Sequence, residues 1–190
     1  MVIHNFFFKY RSFTPIPMIL VAIILAQTTW LSFTVGLAIA LVGECVRIWA
    51  VRYAGSATRT TGEVGADELV TTGPFGHLRN PLYLGNFFLS LGILLMAWPW
   101  MPWFLLLFLA LYVIQYGAII SLEEDFLRKK FAAVYAEYEQ NVPRIIPRLT
   151  PWSKGDRKPT TLKKALRTER NTLQSLTISV LVIMLRWILF

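Results

Sequence analysis

The sequence predicts an all-α fold, a polytopic membrane helical bundle of about five transmembrane helices arranged as two tight hairpins plus a C-terminal span. Three observations predict it. Hydrophobic residues make up 55% of the chain. They are gathered into long runs rather than spread over amphipathic elements. The charges fall between the runs. A soluble domain of this length needs about half its residues polar at the surface; here that surface is missing.

Segments 16–33 and 34–51 read as two helices joined by a turn at Ser32, Phe33 and Thr34. Segments 82–98 and 103–120 form a second pair, joined by Pro99-Trp100-Met101-Pro102, where the prolines cannot continue a helix. Segment 174–190 is a fifth candidate. Each is near or slightly below the roughly 20 residues needed to cross a bilayer core. Residues 1–9 carry no charged leader and no small-residue cleavage site follows the first run, so that run is expected to stay as an anchor.

Twelve of the nineteen Lys and Arg residues lie between Arg128 and Arg170, and Arg47, Arg52, Arg59 and Arg79 flank or occupy the earlier loop. The two short turns carry none. The positive-inside rule then places the Lys9/Arg11 end, the 53–80 loop and the 121–172 region in the cytoplasm. An integral protein of the cell inner membrane is expected, with its N-terminus and active-site loops cytoplasmic. Topology and anionic headgroups account for the net charge of +8, so no nucleic-acid partner is expected, and no protein partner can be inferred. Cys45 is the only cysteine, which excludes intrachain disulfides and thiolate clusters. His4 and His77 are too far apart to suggest a metal site. Walker, GxGxxG and HExxH patterns are absent.

The second cytoplasmic segment begins as a continuation of the fourth span. Glu123, Leu127, Lys130, Phe131, Val134, Tyr135 and Tyr138 recur at helical spacing, and the pattern stops near Val142-Pro143. Residues 150–161 read as a linker and 163–170 as a basic stretch. The expected division is a membrane-embedded unit over 1–149, holding motifs in 73–85 and 123–147, and a basic linker with a hydrophobic segment over 150–190.

Three constellations carry chemistry. Residues 73–85, GPFGHLRNPLYLG, form a turn that runs into an apolar helix with Pro81 at its first position. The helix start offers backbone N–H groups and a positive dipole end beside Arg79, an arrangement that attracts an anion. The plainer reading is that Arg79 snorkels to lipid phosphate. Gly85 lets another backbone or a ligand approach closely. Glu123, Glu124 and Asp125 follow the fourth span, either as a solvated patch paired with Arg128, Lys129 and Lys130, or with one carboxylate turned inward to bind a cation. Glu44 and Arg47, three residues apart within the second span, either satisfy each other or mark a functional site.

Taken together, these stretches resemble the isoprenylcysteine carboxyl methyltransferase and phospholipid methyltransferase superfamily of integral membrane enzymes. Its first signature, G-x-Y-x-x-x-R-H-P-x-Y-x-G, is matched by Gly73, Arg79, Pro81, Tyr83 and Gly85, with Phe75 and Asn80 standing where the family has Tyr and His. Its second is matched by Glu123-Glu124, Leu127, the spaced aromatics and Val142-Pro143-Arg144 to Pro147. The resemblance implies an S-adenosylmethionine site lined by His77, Leu78, Arg79, Asn80, Tyr83, Gly85, Glu123 and Glu124. Asn80, Glu123 and Arg144 would serve methyl transfer onto a lipophilic acceptor, a prenylcysteine-type carboxylate or a phospholipid amine. Asn80 cannot accept a proton near neutral pH, so an amine acceptor would rely on Glu123 or Glu124. Arg144 would hold an acceptor carboxylate or phosphate. The rival readings are a membrane NADPH-dependent reductase of the sterol type and a non-catalytic lipid-binding protein.

Overall fold

The computed structural model describes residues 14–55, 68–152, 154–155 and 158–190. Lys9, Arg11, His4, Arg59 and most of the Gly- and Thr-rich loop lie outside the described residues. Among the described residues every regular element is helical: α1 (Pro15–Ile24), α2 (Trp30–Ala54), a 3-10 turn (Gly73–Gly76), α3 (Pro81–Ala97), α4 (Trp103–Asn141), α5 (Leu162–Thr168) and α6 (Arg170–Leu189). Three of them, α2, α4 and α6, are long and apolar enough to cross a membrane, while α1 and α3 are shorter apolar helices. Their outward faces expose Leu, Val, Ile and Trp side chains, the surface that lipid would cover.

The first turn is not where the hydropathy puts it. Segment 16–33 divides, with α1 ending at Ile24 and α2 starting at Trp30. The cause is a capping box: Ser32 N donates to Thr29 Oγ1 at 3.1 Å, and Thr29 N donates to Ser32 Oγ at 2.9 Å. Ser32, Phe33 and Thr34 therefore sit in the first turns of α2, not in a loop. Gln27 N donates to the Ala97 carbonyl at 2.8 Å, which pins the real turn to the end of α3.

α2 and α3 are held at backbone contact by small residues. A Cβ on Gly43 would lie 2.5 Å from Leu89 N, and one on Gly92 would lie 2.4 Å from Ala40 N. Such closeness is the usual way helices gain dispersion energy in lipid, where apolar side chains have no water to escape. Around this seam Phe33, Met96, Phe104, Phe108, Leu176 and Ile183 form a core drawn from four helices. A second cluster, Tyr135, Tyr138 and Val142 with Trp152 packed against it, lies on the far part of α4.

α4 runs for 39 residues, about 58 Å at 1.5 Å per residue, so it must extend beyond the hydrocarbon layer. It bends at Ala132, whose φ is 41°, and ends at Asn141. Residues 142–152 then fold back along the 76–79 loop. Arg79 N donates to the Pro143 carbonyl at 2.9 Å, Arg148 N to the His77 carbonyl at 3.0 Å, and Trp152 N to the Gly76 carbonyl at 2.9 Å. These bonds lace the two sequence motifs together.

Candidate functional site

The 3-10 turn Gly73–Gly76 opens with Gly73 at φ 62°, where the ring of Tyr53 also leaves no room for a Cβ. It delivers His77, Leu78 and Arg79 to the start of α3. Asn80 precedes Pro81 with φ −126° and caps the helix without a side-chain bond, as a pre-proline residue excluded from the helical region does.

Glu124 is the hub. Its side chain is 2% exposed. Arg79 Nε donates to Oε1 at 3.1 Å, Asn80 Nδ2 donates to the same oxygen at 3.1 Å, and Arg144 approaches Oε2 at 3.0 Å. Arg128 stands a further step away, at 3.6 Å. One buried carboxylate thus gathers three predicted residues, two from the loop that leads into α3 and one from the returning segment. Of the three adjacent acids it is the one turned inward, and the cations that it meets are the protein's own guanidiniums. Asp125 stays outside and pairs with Arg128 at 2.6 Å.

Arg79 is fully engaged. Besides Glu124 it donates to the Glu139 carbonyl at 3.0 Å and stands 3.5 Å from the Glu139 carboxylate. Its guanidinium is directed into the protein rather than to lipid. Arg144 also donates to Ser121 Oγ at 3.0 Å, while its Nε is buried without a partner. Asn80 Nδ2 reaches the Arg144 carbonyl at 3.2 Å.

Glu123 forms a separate arm. Tyr83 donates its hydroxyl to Glu123 Oε1 at 2.6 Å, and Tyr112 donates to the Tyr83 carbonyl at 2.6 Å. Tyr116 stacks on Tyr112, with centroids 4.2 Å apart, and accepts from Asn86 Nδ2 at 3.5 Å. Asn86 in turn accepts from Arg47. The remaining predicted residues face elsewhere. His77 Nδ1 donates to the Arg148 carbonyl at 2.8 Å and its ring lies beside Trp49. Leu78 is buried packing. Gly85 faces α2, where a Cβ would lie 2.5 Å from the Arg47 side chain; the close approach expected at this glycine is made by α2.

Arg47 does not pair with Glu44. It donates through Nε and NH2 to Glu169 Oε2, at 2.9 and 2.7 Å, and to Thr172 at 3.3 Å. Glu44 is buried, with both oxygens lacking a hydrogen-bond partner. Sequence reasoning singled out Glu44 and Arg47 but missed Glu169 and Thr172, together with Asn86, Tyr112 and Tyr116. A polar Asn inside an apolar run and two Tyr one helical turn apart were the available signals; the reach from Arg47 to Glu169 left none.

The family model for phospholipid methyltransferases matches residues 31–134, more than half of the chain and all of the structure from α2 to the bend in α4. The chain belongs to the phospholipid methyltransferase family. Its three membrane-length helices fit an integral membrane protein. Among similar proteins, the nickel-cobalt-cadmium resistance protein NccN of Alcaligenes xylosoxydans xylosoxydans is 30% identical over 143 residues, covering 71% of this chain and 62% of that protein. The cobalt-zinc-cadmium resistance protein CzcN of Cupriavidus metallidurans is 34% identical over 116 residues, covering 60% of this chain and 47% of that protein. The matched parts thus span less than two thirds of the length of either relative. No solved structure matches. The family match includes the start of α3 and the Glu123-Glu124 pair, whereas Arg144 and the C-terminal helices lie beyond it.

Proposed function

We propose that this family member transfers a methyl group from S-adenosylmethionine to a lipophilic acceptor that reaches the site from the bilayer. The observation that carries the proposal is the joining of the α3 start to the α4 carboxylates within the family-matched region: Tyr83 to Glu123 and Asn80 to Glu124. The residues fit the cofactor's chemistry. A helix start without a side-chain cap suits its carboxylate, and the Glu123 carboxylate suits its ammonium or ribose hydroxyls. Arg79 and Glu124, engaged with each other, act as the frame that fixes both.

The bound cofactor supplies an electrophilic methyl group. Alignment provides most of the acceleration in such a displacement, and this is what the Arg79–Glu124–Arg144 frame contributes. A carboxylate acceptor is already ionised and needs no base. For an amine acceptor Glu123 is the nearest available proton acceptor, held in place by Tyr83. Arg144, with a side chain 39% exposed, is the cation open to an acceptor phosphate or carboxylate.

The test is calorimetric titration of the detergent-purified chain with S-adenosylhomocysteine, with NADPH in parallel and Glu123→Gln as the variant. Saturable binding of the homocysteine product, weakened at least tenfold in the variant and absent for NADPH, is expected. NADPH binding in its place would support the reductase reading, and no binding of either would support a non-catalytic lipid-binding protein.

A further inference from the structure

Outside the family-matched residues, α5 and the first turns of α6 line a groove of about 790 Å³. Its walls hold Arg167, Arg170 and Gln174 together with Leu166, Leu173 and Ile178. The spacing of Leu166, Arg170, Leu173/Gln174 and Ile178 puts them along one face of the continuing helical path. Neither arginine has a hydrogen-bond or ion-pair partner among the described residues, and neither does the Gln174 side chain. The nearest acid in sequence, Glu169, is buried and taken by Arg47. Two guanidiniums without an ion-pair partner therefore stand at the start of a membrane-length helix, at the mouth of an open groove that also carries the exposed Leu166 and Ile178.

The geometry points to a binding site for an anionic phospholipid of the leaflet that the basic segments face. The order of groups along the helix follows the order of groups along such a lipid. Arg167 and Arg170 meet the phosphate, which planar guanidiniums bind through paired donors, and the positive end of α6 adds to the attraction. Gln174 lies one turn deeper, about 6 Å along the axis from Arg170, where its amide can donate to a glycerol ester carbonyl. Leu173 and Ile178 continue into the layer of the acyl chain. A soluble anion would use only the mouth. The excess of basic residues on this side, Lys163 and Lys164 included, favours anionic over zwitterionic headgroups.

The experiment measures the thermal shift of the full chain in dodecylmaltoside on titration with phosphatidylglycerol, phosphatidylcholine or inorganic phosphate. The variants are Arg167→Gln/Arg170→Gln, Ile178→Trp and, as a charge-matched control, Lys163→Gln/Lys164→Gln. Phosphatidylglycerol is expected to raise Tm saturably, with an apparent affinity at least tenfold weaker in the arginine pair and in Ile178→Trp, and within twofold of the parent in the lysine pair. Phosphatidylcholine and inorganic phosphate should give no shift. Equal weakening by both double variants would reduce the effect to diffuse charge and overturn the assignment. A shift with phosphate alone would leave an anion site that needs no lipid, and a large loss of lipid-free Tm in the arginine pair would make those residues structural; either result also overturns it.

Discussion

Replacing Glu124 with Gln should destabilise the protein severely, and the size of the effect follows from its partners. The side chain is 2% exposed and receives Arg79, Asn80 and Arg144 within 3.1 Å. Gln keeps the shape but removes the charge and turns an amide donor toward guanidinium donors. Breaking a buried ion pair from one side costs about 3–5 kcal/mol, because the surviving charge stays buried. Arg79 retains the Glu139 carboxylate at 3.5 Å and two backbone carbonyls, which sets the loss at the lower end of that range. The half-exposed Arg144 adds less than about 1 kcal/mol. The expected total is about 3 kcal/mol, roughly a hundredfold in the unfolding equilibrium. Unfolding by sodium dodecyl sulfate in mixed micelles, read through tryptophan fluorescence, is a suitable assay, since Trp152 packs on Tyr138 at 5.7 Å beside the same segment. Asp125→Asn, at a side chain 64% exposed, serves as the control and should stay within about 0.5 kcal/mol. A Glu124→Gln protein as stable as that control would refute the hub.

Gly43→Ala and Gly92→Ala should each lower Tm sharply or abolish folding, because the new methyl meets facing backbone within 2.5 Å. Gly117→Ala, with nothing within 4 Å, should be neutral or stabilising by up to about 1 kcal/mol from helix propensity. Glu169→Gln should cost about 3 kcal/mol and expose the C-terminal helices to protease, measured by limited proteolysis in detergent; an unchanged cleavage rate would contradict the Arg47–Glu169 tie. Tyr83→Phe should weaken S-adenosylhomocysteine binding severalfold while costing about 1 kcal/mol of stability, so a loss of stability with unchanged affinity would separate Glu123 from the cofactor.

Much of this architecture was legible because its signals are local. The prolines of the 99–102 turn mark the break between α3 and α4, and the 123–138 spacing carries α4 past the membrane to Val142. The start of α2 was misread because hydropathy alone cannot see a cap. Thr29 and Ser32 stand three residues apart in the sequence, yet their reciprocal bonds set the boundary within an unbroken apolar run. The choice of Glu124 over its acidic neighbours depends on helical phase against α3, which three consecutive carboxylates do not reveal. Arg47 and Glu169 are 122 residues apart, and only the path of the C-terminal helices brings them together. Gly85 shows the same limit from the other side: the need for closeness was evident, but not that a helix would meet it.

The length of α4 has one more consequence. From Trp103, an exposed aromatic of the kind that settles at a membrane interface, to Glu123 the helix climbs about 30 Å, the thickness of an average hydrocarbon layer. Set across a bilayer, the helix would be a depth gauge, with Trp103 at one water boundary and its carboxylates at the other. In a thinner bilayer the carboxylate end would stand proud of the headgroups; in a thicker one it would sink among the acyl chains. Under the proposed methyl transfer, turnover would then follow the chain length of the host lipid, and the membrane's own dimensions would enter the specification of the site.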